Sequence, residues 1–437
     1  LVAPTWIQPR WHRRYGDVYS VHLAPAGRAV VITRPEDIRE VFSGAPTVFH
    51  AGEGNAILGP VMGEHSVLML DEDAHLEARR RVMAAFHGEA MRDWAERIEQ
   101  ITRDQMRGWP TGVPVRMHDR MNAISLEVIM RIVFGVTDTA RADALRPLLT
   151  RLVRIGPLVF FGWLYPGLQR VGPWRRFALL REQVDRLLYA EIADRRRRLD
   201  TDADDLAGRT DVLSKLLVSA PEQSDDELRD HLVTLLLAGH ETTASSLAWA
   251  LHDLARNRDV LARVRRAVDE GDGGYLEATV KEALRRRPVI RNVARRLNAP
   301  ARVAGYDLPA GVVVFPSILL VHRTARLWPS PADFRPERFL AGNPPPATWI
   351  PFGGGIRRCL GAGLAAVEAQ AVLTTVLAGL DIAPAGPPER SRTRNVTTVP
   401  ARGTRLILTP RTPAVAGPSG SPASAATPAP RGGARPA

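Results

Sequence analysis

The chain has 437 residues, 45 % of them hydrophobic and 24 % charged, a soluble globular balance with enough length to bury a large core. Its net charge of +12 is carried almost wholly by scattered arginines, with lysine only at positions 215 and 281. This argues against nucleic-acid binding, which needs a basic segment, and leaves an acidic protein partner as the natural counterpart. One cysteine, Cys359, excludes an intramolecular disulfide, an iron–sulfur cluster and a multi-cysteine zinc site built from this chain. It also fits a reducing cytoplasm.

In chain order, 18–23 and 29–33 read as a hairpin turning at 25–27, and 35–42 as a helix. A glycine-rich loop covers 51–63. From residue 73 to about 221 the texture is mostly helical, with breaks at 108–110, 156–166 and 172–173 and an exposed polar loop over 200–211. The most apolar stretch, 155–168, is broken by Pro157, Gly162 and Pro166 and is too short to span a bilayer, so no transmembrane segment is expected. Contact of this stretch with a membrane surface is the alternative use for it. Ser224-Asp225-Asp226-Glu227 is a capping box opening a long helix to about Arg256. Helical texture continues to Leu284 with a break near 271–274. Short strands follow over 289–315, a helix over 317–327 and a proline-rich coil over 328–351. The loop around Cys359 opens onto a helix from 362 to 380, and 395–408 reads as a final strand pair. Residues 410–437 read as a disordered Pro/Ala/Gly/Ser-rich tail, leaving 1–409 as one domain. The fold class is mainly α with small β-sheets. The chain begins at Leu1, which leaves its native N-terminus open.

Four patterns carry chemistry. Phe352 to Gly361 runs F-G-G-G-I-R-R-C-L-G, placing the lone thiol beside Arg357 and Arg358 and ahead of a helix. Cations and a helix N-terminus both favour a thiolate, the form that ligates a metal. The glycines, Gly355 and Gly361 among them, allow close backbone approach to a flat ligand. Ala238-Gly239-His240-Glu241-Thr242-Thr243 lies inside the long helix, where this composition is poor helix interior. A threonine hydroxyl can take a backbone carbonyl there and bend the helix, leaving room for dioxygen and water. The apolar flanks argue that the helix is buried, so its polar groups need partners or a role. Glu282-Ala-Leu-Arg285 forms an i,i+3 ion pair, which alone reads as an ordinary surface pair. Phe334-Arg-Pro-Glu-Arg338-Phe339 could add Arg338 to that pair.

In this order and at these separations, the four patterns resemble the cytochrome P450 superfamily over roughly residues 11–408. The resemblance implies the cytochrome P450 fold and haem b (iron protoporphyrin IX), with Cys359 as axial thiolate. Thr242 and Glu241 match the alcohol and acid that manage dioxygen and its protons. Glu282, Arg285 and Arg338 match the structural triad behind the haem. His75 and Arg79, in D-E-D-A-H-L-E-A-R, match the histidine and arginine near the haem propionates, as do Arg357 of the loop and Arg295 of a strand. Buried carboxylate anions need such partners, and i,i+4 spacing lets His75 and Arg79 face one ligand. A solvated arginine face over 79–81 is the alternative for Arg79. Phe352, Gly355 and Gly361 of the loop, with Ala238 and Gly239 of the helix, complete the expected cofactor contacts.

The implied reaction is a cytoplasmic monooxygenation of a hydrophobic small molecule, such as a natural-product intermediate of secondary metabolism. The family's thiolate favours O–O cleavage, and the acid–alcohol pair favours a route through O2. Electrons must come from a separate ferredoxin or flavodoxin with an NAD(P)H-dependent reductase, meeting Arg80, Arg81 and Arg358. Substrate contacts are expected from 51–66, 155–174 (with Phe160, Phe161 and Trp163), 235–238, 289–293 and 396–399. Oxidative coupling or multi-step oxidation on the same fold, and a non-catalytic haem sensor, are the alternatives.

Overall fold

The computed structural model describes residues 6–23, 27–86, 90–136, 138–153, 167 and 170–411. Helices dominate. The longest, Asp225–Arg256, begins as the capping box requires: the Glu227 amide donates to Ser224 Oγ at 3.2 Å, and the Ser224 amide donates to the Glu227 carboxylate at 2.8 Å. It packs on helices Met117–Val128 and Ala362–Gly379, and the latter packs on Ala90–Met106. Met121, Ile124, Leu251, Val372, Val376 and Leu377 are among the side chains sealed in this core. Each such burial stabilises by about 1.5–3 kcal/mol. Among the described residues, Ala362–Gly379 is the one helix long and apolar enough to cross a membrane. Its place in the core explains that composition.

The strands are β1 (Val18–Leu23), β2 (Gly27–Ile32), β3 (Phe49–His50), β4 (Pro114–Arg116), β5 (Arg295–Leu297) and β6 (Ala301–Val303). They continue with β7 (Tyr306–Leu308), β8 (Val313–Pro316), β9 (Leu380–Pro384), β10 (Ser391–Arg394), β11 (Thr397–Pro400) and β12 (Arg405–Pro410). The main sheet runs β1-β2-β8-β5-β3, with β2 and β8 parallel and the other pairs antiparallel. On one face Val30, Ile32, Leu297 and Val314 pack with Ile38 of helix Pro35–Ser43 in a separate core.

Several expectations shift. The 51–63 loop contains a 3₁₀ turn, Glu53–Leu58, and a short helix, Gly59–Met62. Gly172-Pro173 starts a helix, Gly172–Thr201, because proline suits the first helical turn. The 200–211 segment contains the helix Ala203–Gly208, and the 317–327 helix is limited to Ile318–Arg323. β11 and β12 do not pair with each other: β11 joins β10, and β12 joins β4 and β9. The cause is Glu389, whose carboxylate accepts the amides of Arg402 and Thr404 at 3.1 and 3.0 Å and turns the link into a corner between two sheets. The chain is placed beyond 409, since β12 includes Pro410 and Arg411 pairs with Asp269 at 2.5 Å. The turn at 24–26, the stretch 154–166 with Phe160, Phe161 and Trp163, and the tail from 412 lie outside the described residues.

Candidate functional site

A cavity of about 630 Å³ lies between the long helix, the cysteine loop and the main sheet. Cys359 opens into it. The Cys359 amide donates to the Phe352 carbonyl at 2.9 Å, closing the loop on itself. Surrounding protein raises the Cys359 pKa, opposed by the Gly361 amide and by the charges of Arg358 and Arg79. Phe352 and Gly361 line the cavity with the cysteine. Gly355 does not, and its role is corrected here. Its φ is +64°, and a Cβ there would lie 1.9 Å from the Phe42 carbonyl oxygen. At Gly354 a Cβ would lie 2.3 Å from the Phe42 ring. These two glycines let the loop lie on helix Pro35–Ser43.

His75, Arg79, Arg295 and Arg357 come together on the same cavity although they lie far apart in sequence. His75 is 2 % exposed, and its Nδ1 has no hydrogen-bond partner among the described residues. Burial first, then Arg357 and Arg79, push its pKa down to about 3. Burial and neighbouring positive charge likewise bring Arg295 and Arg357 down to about 10. A buried group of cations with an idle imidazole nitrogen calls for anions, and two carboxylates of one ligand suit it. Arg357 also reaches Leu70 O at 2.5 Å and Asp71. Sequence reasoning missed Asp71. Its carboxylate accepts the amides of Ala51, Gly52 and Glu53 at 2.8, 2.9 and 2.9 Å, fixing the cavity's 51–53 rim. An acid just ahead of a helix was the available signal.

On the opposite wall, Ala238, Gly239, Glu241 and Thr242 line the cavity. Thr242 Oγ1 donates to Ala238 O at 2.6 Å. The helix nonetheless runs through the motif unbroken, so the expected bend is not a break in it. Glu241 is held by Arg394 at 3.2 Å, with the Thr397 hydroxyl also at 3.2 Å. Burial raises the Glu241 pKa, and Arg394 opposes the rise.

The triad assembles behind the cavity. Arg285 donates to Glu282 at 2.7 and 2.9 Å, and Arg338 approaches Glu282 at 3.5 Å. Arg285 also donates to the carbonyls of His322, Pro331 and Asp333. Glu282 and Arg285 are fully buried, so this is not the surface pair that the bare motif allowed. Arg80 and Arg358 are exposed, whereas Arg81 is engaged with Glu77 at 2.5 Å and Glu227 at 3.6 Å. Glu368 was also missed. It lines the cavity, is 2 % exposed and has an unpartnered Oε1; burial lifts its pKa to about 7.

The cytochrome P450 family model matches residues 7–407. The chain belongs to the cytochrome P450 family. It is 46 % identical over 413 residues to a protein of Mycobacterium tuberculosis named as cytochrome P450 135A1, covering 93 % of this chain and 91 % of that one. It is 42 % identical over 433 residues to one of Mycobacterium bovis named as cytochrome P450 135B1, covering 96 % and 90 %. The solved structure of retinoic acid-bound cyanobacterial CYP120A1 superposes with a TM-score of 0.80 at 22 % identity, covering 92 % of this chain and 94 % of that one. This P450 is therefore a haem-using monooxygenase of the oxidoreductase class.

Proposed function

We propose that this P450 uses haem b to insert one oxygen atom of O2 into a hydrophobic small molecule, with electrons from a separate acidic ferredoxin or flavodoxin and its reductase. The observation that carries the reading is that Cys359, the cation group and the Glu241–Thr242 pair all open into one largely apolar cavity. Bound there, the haem would supply O2 activation and transfer of one oxygen atom to carbon. Cys359 would hold it, with the Gly361 amide and Arg358 stabilising negative sulfur. His75, Arg79, Arg295 and Arg357 would hold its carboxylates. Thr242 keeps a hydroxyl at the cavity face of the long helix, where it can pass a proton. Glu241 stands behind it as the proton store. Leu58, Val61, Leu235, Leu237, Val293 and Val396 form apolar wall and would exclude water from the substrate.

The test begins with the reduced, carbon monoxide-bound difference spectrum. A strongly red-shifted Soret band in the wild type, lost in Cys359→Ser, is the expected result. A histidine-like band in the wild type would overturn the assignment of Cys359. Thr242→Ala should then retain that band, lose product and release reduced oxygen. A sensor would keep its ligand response in the same variant.

A further inference from the structure

His50, the last residue of β3, is 6 % exposed and lies beside the 51–53 rim of the main cavity. Both of its ring nitrogens face carboxylates. Nδ1 lies 3.0 Å from Glu53, and Nε2 lies 2.8 Å from Glu72. An ionised carboxylate accepts and cannot donate, whereas a neutral imidazole has a single N–H. Two such contacts at hydrogen-bond distance therefore describe the charged ring, donating on both sides.

The surroundings favour that charge. Asp71 adds a third carboxylate at 3.9 Å. Arg296, the register partner of His50 on β5, is the facing cation, and it turns to Glu53 at 3.2 Å. Burial works against the charged ring, but Glu53, Asp71 and Glu72 outweigh it and hold the His50 pKa above its ordinary 6.5. A second observation is independent of charge. Glu72 sits at φ +51°, in the left-handed region that residues other than glycine seldom adopt. His50 is its one ion-pair partner among the described residues. A backbone outlier that delivers one side chain to one partner points to a role for that contact.

The two carboxylates belong to different elements. Glu53 opens the 3₁₀ turn Glu53–Leu58 and lines the cavity, as Leu58 does at the other end of the turn. Glu72 opens the helix that carries His75 and Arg79. We propose that His50 is a proton-operated staple, a positioning residue that joins this turn to this helix when charged and releases the turn when it loses a proton. The proton left on the neutral ring belongs on Nε2, because Glu72 relies on His50 while Glu53 keeps Arg296. Glu53 then faces a lone pair, and its turn loosens at the cavity's edge. The raised pKa makes the staple's contribution complete below about 6.5 and lost as pH rises through the higher value held in the fold. What the loosened edge admits depends on the oxygenation reading; the staple does not, and its test reads no haem signal.

The test titrates the haem-loaded protein, carrying isotope-labelled histidine, by NMR between about pH 5 and 9. His50, identified by the signal missing in His50→Gln, should titrate above 6.5 and carry its neutral-form proton on Nε2. Hydrogen exchange read by mass spectrometry and corrected for intrinsic rate supplies the second readout. Protection of the 53–58 amides should fall at least about tenfold through that same pH, the worth of one charge-assisted hydrogen bond. The β1–β2 hairpin should not change. His50→Gln should lack the transition. In Glu72→Gln the new amide can donate to Nε2, so the neutral ring keeps its proton on Nδ1 for Glu53, and protection of 53–58 should stay high throughout. A His50 pKa at or below 6.5, protection of 53–58 that does not follow it, or a transition that survives in either variant overturns the proposal. Should His50→Gln not fold, Glu72→Gln decides alone, since a merely structural contact would lose protection there instead of keeping it.

Discussion

Arg394 of β10 stands 3.2 Å from the carboxylate of Glu241 in the long helix. The hairpin β10–β11 thereby reaches the helix at the residue before Thr242, and Thr397 of the same hairpin lies 3.2 Å from the other carboxylate oxygen. The proton store proposed for the reaction is thus tuned from a sheet remote from it in sequence.

Arg394→Gln removes the largest influence opposing burial at Glu241, so the Glu241 pKa rises further. The ionised form is then lost at higher pH. The acidic limb of the turnover profile should move to higher pH while the carbon monoxide spectrum stays unchanged. Product formed against pH in wild type and variant checks this, and an unmoved limb counts against Glu241.

Glu368 has its pKa raised by burial from 4.5 to about 7. Its protonated form is favoured by folding, so its contribution to stability is fully present below about 4.5 and is lost as pH rises through about 7. Glu368→Gln keeps the shape without the ionisation. The variant should unfold at higher urea than the wild type at pH 8 and near the same urea at pH 5. The difference between these pH values should amount to about 2–3 kcal/mol.

Glu282→Gln leaves the guanidinium of Arg285 buried without its carboxylate. Breaking a buried pair from one side costs about 3–5 kcal/mol. The urea midpoint should fall accordingly, and soluble yield with it, because most of the net stability of a domain is of that size. A midpoint within experimental error of the wild type would remove the triad from its structural role.

Asp71→Asn keeps a side chain of the same shape but removes the charge facing Arg357 and the amides of 51–53. Arg357 is half-released, and the rim of the cavity loosens. The expected outcome is a loss of about 1–3 kcal/mol in stability and faster haem loss to apomyoglobin, read from the Soret transfer rate.

Much of this was legible in the sequence because it depended on local pattern. The Ser224–Glu227 box set the start of the long helix. The lone Cys359 in its glycine-rich loop, with the Glu282–Arg285 spacing, pointed to the family and hence the site. What was not legible depended on contacts between distant residues. Nothing near Glu241 in sequence names Arg394 as its partner, and nothing near Arg357 names Asp71. The corner at Glu389 looked like hairpin texture because a carboxylate gathering two amides leaves no periodic signal. Gly355 was read as a ligand contact because a glycine signals close approach without saying to what.

That last contact has a consequence for how this chain can change over time. At position 354 the obstacle to any larger residue is the ring of Phe42, so a smaller residue at 42 must come first, and the pair can drift only in that order. At position 355 the obstacle is the carbonyl oxygen that every residue at 42 would carry. No change of side chain at 42 frees it, and the alphabet there is reduced to one letter.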